Sequence, residues 1–125
     1  MFYLIIKFSI FQNKTLLIMP NITIQTKKGD ALKKAIFEAV EDKTLKTWEI
    51  RESKDDSYLL THKPEQWADR ALLEFLVSEE VLLIRTVTWR NHEEDLAAQN
   101  FFIGRFVEIL LQHFGKYFIN LKVNK

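Results

Sequence analysis

The stretch PEQWADRALLEFLVSEE, residues 64–80, decides the fold, because it carries two periodicities at once. Trp67, Ala68, Ala71, Leu72, Phe75 and Leu76 recur at helical spacing, and Pro64 suits a first helical position. Ala71, Leu73, Phe75 and Val77 alternate instead like one face of a strand. Ser78-Glu79-Glu80 then reads as a turn that returns the chain along Val81, Leu83 and Ile84. The helical reading gives the order β-α-β-β-α-β, a ferredoxin-like arrangement with an appended helix. The strand reading gives an antiparallel meander between two helices, and it is preferred because pairing with neighbours overrides helix propensity. The expected fold is therefore α+β: an antiparallel sheet of about four strands with an N-terminal amphipathic helix and a long C-terminal helix packed on it.

The flanking segments supply the other elements. Upstream, Ile22 and Ile24 alternate with polar residues between Asn21 and Thr26, as in a half-exposed strand, and Lys27-Lys28-Gly29 is a turn. Asp30 is expected to cap a helix with Leu32, Ala35, Ile36, Ala39 and Val40 on one face and Lys33, Lys34, Glu38 and Glu41 on the other. Thr47 to Glu52 alternates around Trp48 and Ile50. Lys54-Asp55-Asp56-Ser57 turns that strand back into Tyr58, Leu59 and Leu60 as a hairpin.

Downstream, Val81 to Trp89 is rich in β-branched residues and breaks at Arg90-Asn91. Asn91-His92-Glu93-Glu94 has the form of a capping box, which starts the long helix near Asn91. On that helix Leu96, Ile103, Phe106, Val107, Leu110 and Phe114 form a stripe, and Ala98, Phe102, Ile109 and Leu111 widen it to roughly 200° of the circumference. One sheet face does not usually cover so broad an arc, so either the sheet curls around the helix or a second subunit covers the rest. Gly115 is placed to cap the helix in a left-handed conformation, after which Tyr117, Ile119, Leu121 and Val123 alternate as a closing strand.

Residues 1–19 stand apart. Phe2 to Phe11 and Leu16 to Met19 are apolar runs separated by Gln12, Asn13 and Lys14, and neither reaches the roughly twenty residues of a bilayer span. Basic residues before the apolar run and small residues at a cleavage site, the marks of a secretory signal, are missing. The stretch is expected to be an extension, either a misassigned start upstream of Met19-Pro20 or an added strand, with residues 20–125 as one α+β domain.

Composition narrows the function classes. The chain has 125 residues, 47% of them hydrophobic, which is enough to bury a continuous core. A formal charge of +1 gives no field that would gather nucleic acid or anionic lipid, so neither partner is expected. With no cysteine there is neither disulfide nor thiolate chemistry, which suits the cytoplasm. No histidine pair has metal-ligand spacing, no Gly-rich phosphate loop occurs, and the serines lack a nucleophile elbow. Neither cofactor nor metal is expected, and the chain reads as non-catalytic.

The leading expectation is a small cytosolic protein-interaction module that self-associates, as a homodimer, or masks or escorts a partner protein. Phe102, Gly104, Ile109 and Leu111 on the long helix are its candidate interface, and Gly104 stands out because a helical glycine costs about 1 kcal/mol relative to alanine. The alternative is a small apolar-ligand-binding protein, or an enzyme, with a cleft between sheet and long helix lined by His62, Trp67, Gln99 and His113. For His62 and His113 a boundary role competes with ligand binding, and for Gln99 a satisfied core amide does.

Overall fold

The computed structural model describes residues 19–53 and 57–125. The expectations for residues 1–18 and for the turn at Lys54-Asp55-Asp56 lie outside the described residues. Six strands and two helices follow in the order β1 (Asn21–Gln25), α1 (Gly29–Glu41), β2 (Trp48–Glu52), β3 (Tyr58–His62), β4 (Leu72–Val77), β5 (Val81–Val87), α2 (Leu96–His113) and β6 (Asn120–Asn124). A 3-10 turn, Gly115–Tyr117, joins α2 to β6. The strands form one sheet in the order β2-β3-β4-β5-β1-β6, antiparallel throughout.

The sheet therefore has six strands rather than about four. The meander β2 to β5 accounts for the expected four. β1 then pairs with β5 from Asn21↔Arg85 to Gln25↔Val81, and β6 pairs with β1 on its far side. The alternation of Ile22 and Ile24 makes this addition favourable, because it sets both side chains opposite Ile84 and Leu82 in the buried row. No helix begins the described chain: α1 follows β1.

Residues 64–80 settle as turn and strand, which excludes the ferredoxin-like alternative. Leu72, Leu73, Glu74 and Phe75 are buried consecutively, a pattern that needs cover on both sheet faces. The apparent helical face around Trp67 fails for a local reason. The Trp67 and Ala68 amides both donate to the Pro64 carbonyl, but Asp69 then takes a left-handed φ of 62°, ending any helical continuation.

Both helices pack on one sheet face. Leu32, Ile36 and Val40 of α1 and Ala98, Phe102, Ile103, Phe106 and Leu110 of α2 join Ile22, Ile24, Trp48, Leu60, Leu73, Phe75, Leu82 and Ile84 in the main core. The opposite face has a second cluster of Met19, Leu59, Leu72, Val87 and Trp89. It also has an ion pair, Arg85 to Glu74 at 2.8 Å, with both side chains largely buried.

Three helix ends differ from the sequence expectation. α1 is preceded by Lys28 and has no side-chain cap, and Asp30 lies in its first turn, where it complements the dipole. Gly29 sits at a close approach: a Cβ there would lie 3.1 Å from Val77 Cγ1, which would have to give by a few tenths of an ångström. α2 starts five residues later than Asn91: the cap is Asp95, which accepts from the Ala98 amide at 3.0 Å, while Asn91 takes a φ of 74°. Both residues have capping chemistry, and the Arg70–Asp95 ion pair at 2.6 Å supplies the tertiary contact that favours Asp95. Gly115 opens the 3-10 turn without a positive φ, and α2 ends with the Phe114 amide donating to the Leu110 carbonyl.

Candidate functional site

Two regions concentrate groups that core packing does not explain. The first lies where β2 and β3 meet α2. His62 sits at the end of β3 opposite Trp48, is 5% exposed, and has Trp48, Phe101 and Phe102 rings at centroid distances of 4.8, 5.4 and 6.0 Å. Trp67, on the turn before β4, stacks on Phe101 at 4.2 Å with 11° between the planes, so the two rings form one outer wall. Burial, with a smaller contribution from the Arg105 charge, holds the His62 pKa below its ordinary value.

Neither ring nitrogen of His62 has a hydrogen-bond partner, and the same holds for Thr88 Oγ1 and Gln99 Nε2, all buried. Continuing the Leu60↔Leu73 and Leu72↔Val87 registers puts His62, Ala71 and Thr88 in one cross-strand row. Gln99 comes from the first turns of α2, which cover the sheet. Of the four expected cleft residues, His62 and Trp67 are thus brought together through Phe101, and Gln99 lies buried one turn before Phe102. His113 is exposed at the other end of α2, beside Phe114, and is separate from them.

The α2 residues expected at an interface are placed differently from one another. Phe102 is fully buried against Trp48 and His62. Ile109 is half-buried and Leu111 is 62% exposed. Gly104 is exposed, and a Cβ there would meet nothing within 4 Å. Of the broad apolar arc, Leu96 and Leu111 reach solvent, Trp67 covers the neighbouring Phe101, and Tyr117 and Phe118 pack against the main core.

The second region is the sheet edge at β6. Its inner side is firmly held, with five residues paired to β1 and the Asn124 amide donating to Asn21 Oδ1 at 2.8 Å and Thr23 Oγ1 at 3.2 Å. The preceding turn is tied to β1 through Thr26, whose hydroxyl donates to the Tyr117 carbonyl. Among the described residues nothing pairs with the outer side of β6. Ile119, in the bend just before β6, is 93% exposed, and on the strand itself Val123 is 44% exposed, with Leu121 half-buried on the same side. An open groove of about 420 Å³ runs beside Ile119, lined in part by Lys27, Lys28, Lys116 and Tyr117.

Sequence reading expected a closing strand over Tyr117 to Val123; the strand is Asn120–Asn124, Tyr117 belongs to the 3-10 turn, and the reading missed that the strand ends the sheet. The available signal was Lys122 among the polar positions of the alternation, a residue type that blunts exposed strand edges.

Among the described residues no cluster of histidine and carboxylate groups could hold a metal ion, and no helix is long and apolar enough to cross a membrane. No protein-family model matches the chain, and comparison with curated proteins and with solved structures gives no significant match.

Proposed function

We propose that the protein is a small non-catalytic interaction module that recognises polypeptide by strand addition at β6. The observation that supports it is an edge strand fixed on its inner side, with Ile119 and Val123 left in solvent. Main-chain hydrogen bonds along such an edge supply affinity, and alternate side chains supply selectivity. Because the strand is already ordered, an incoming segment meets no folding cost on this side. Residence in the cytosol belongs to the same proposal and is supported by the absence of cysteine.

Selection of binders from a library of extended peptides, followed by mapping of amide shifts, tests the reading. Bound peptides are expected to move residues 119–124 and to lose affinity for the Ile119→Lys/Val123→Lys variant. Binders that map elsewhere, or that bind this variant equally well, would remove the support.

A second reading is favoured by the unpartnered polar atoms of His62, Thr88 and Gln99. A small molecule held between α2 and the sheet would give them hydrogen bonds that the protein does not supply. Native mass spectrometry of protein purified without denaturant tests it, through a mass increment over the chain that disappears in the Gln99→Leu variant. A spectrum of bare chain alone argues against it.

A further inference from the structure

We infer that the strand added at β6 is β6 of a second copy, paired antiparallel about a two-fold axis at Leu121; this rests on the reading of β6 as the recognition edge. The sequence of the edge, Ile119-Asn120-Leu121-Lys122-Val123, selects the register. An axis at Leu121 sets Leu121 opposite Leu121 of the second copy and, with pairing carried one residue back into the bend at Ile119, Ile119 opposite Val123, so that the exposed apolar side chains form one continuous row. On the other sheet face each Lys122 then lies opposite Asn120. An axis one residue later, at Lys122, would set the two ammonium groups directly opposite each other and leave Ile119 facing Lys125. The Leu121 register thus accounts for two features together: an isoleucine at 93% exposure, and a central lysine that does not oppose its own copy. Pairing of this kind continues the six-stranded sheet into a second molecule and keeps the helical layers of both copies on the same side.

The chain has no cysteine, so single introduced thiols report the register without interference. Directly opposed residues of antiparallel strands have Cα atoms about 4.5–5.5 Å apart, within the span a disulfide bridges. Under mild oxidation of the full-length chain, Leu121→Cys is expected to give a covalent dimer about tenfold more readily than Asn120→Cys or Lys122→Cys alone. An equal mixture of Asn120→Cys and Lys122→Cys, both solvent-facing, is expected to cross-link and gives the same answer if Leu121→Cys fails to fold. Light scattering of the wild-type chain should show a mass rising from 14.9 kDa toward twice that value with concentration.

Preferential cross-linking of Lys122→Cys with itself overturns the register. A mass constant at 14.9 kDa with no cross-linking overturns self-pairing. If selected peptides still bind residues 119–124 in that case, the recognition edge stands with a different occupant; if they do not, both proposals fall.

Discussion

β2 and β6 each leave one side of their backbone without a partner among the described residues, yet their side chains are arranged in opposite ways. Along β2, Glu49 and Arg51 are engaged by charge. Arg51 donates to Glu49 at 2.7 Å and to Asp69 at 3.0 Å, and Asp69 also accepts from Trp89 Nε1 at 3.1 Å. The inward side of β2 is committed as well, with Trp48 buried edge-on against His62, Phe102 and Phe106. β6 has no ion pair among its described residues, one central lysine, and apolar side chains that reach solvent. Exposed edges invite pairing unless charge or cover prevents it, so β2 reads as a closed edge and β6 as an open one.

The largest expected effect comes from opening the closed edge. Asp69→Ala removes the acceptor shared by Arg51 and Trp89 and places alanine at a left-handed φ of 62°. Stability should fall by about 3 kcal/mol in denaturant unfolding, with β2 exchanging its amides faster and β6 unchanged. Equal loosening of both strands would mean that the edges are not independent.

Next in size, Ile119→Lys with Val123→Lys should weaken association by about 2 kcal/mol, read as the dissociation constant by light scattering, while leaving the unfolding midpoint near wild type. The corresponding change on the other edge, Glu52→Lys, should leave association unchanged.

His62 tests how firmly β2 is held from inside. His62→Phe replaces two unpartnered ring nitrogens with an apolar ring among aromatic neighbours and should raise stability by about 1 kcal/mol at neutral pH. Because the folded-state pKa lies below the ordinary value of about 6.5, the unfolded chain takes up the proton first as pH falls. The stability contributed by the neutral ring is complete above pH of about 6.5 and is lost as pH falls through that value toward the folded pKa. The phenylalanine variant should lack this part of the acid sensitivity. An unchanged pH profile would show that His62 is already satisfied in solution.

The smallest effect is expected at the lysine of the open edge. Lys122→Thr removes the charge and adds a β-branched residue, and should strengthen association by about 0.5 kcal/mol.

Much of this architecture is legible in the chain because its patterns have one physical solution. Ile22 and Ile24, Trp48 and Ile50, and most of the two stripes of α1 and α2 fall on the side that packs on the core, where periodicity puts them, while Leu96 at the start of α2 is 58% exposed. Reading failed where two local solutions are equally good and a distant residue decides. Asn91 and Asp95 both cap, but Arg70 lies beside the second. Trp67 fits a helix, but Asp69 is drawn to Arg51, Thr61 and Trp89 and breaks the turn. The site was legible in part for the same reason. His62 could be singled out as a histidine near Trp67, whereas the exposure of Ile119 follows from strand order, which no local pattern encodes.

Assignment of strand addition to β6 rather than β2 is tested most directly by amide hydrogen exchange of the two edges at low and high protein concentration. Outward-facing amides of residues 119–124 are expected to gain protection as concentration rises, while those of residues 48–52 exchange at a constant rate. Protection that rises along β2, or that leaves β6 unchanged while the mass increases, would contradict it.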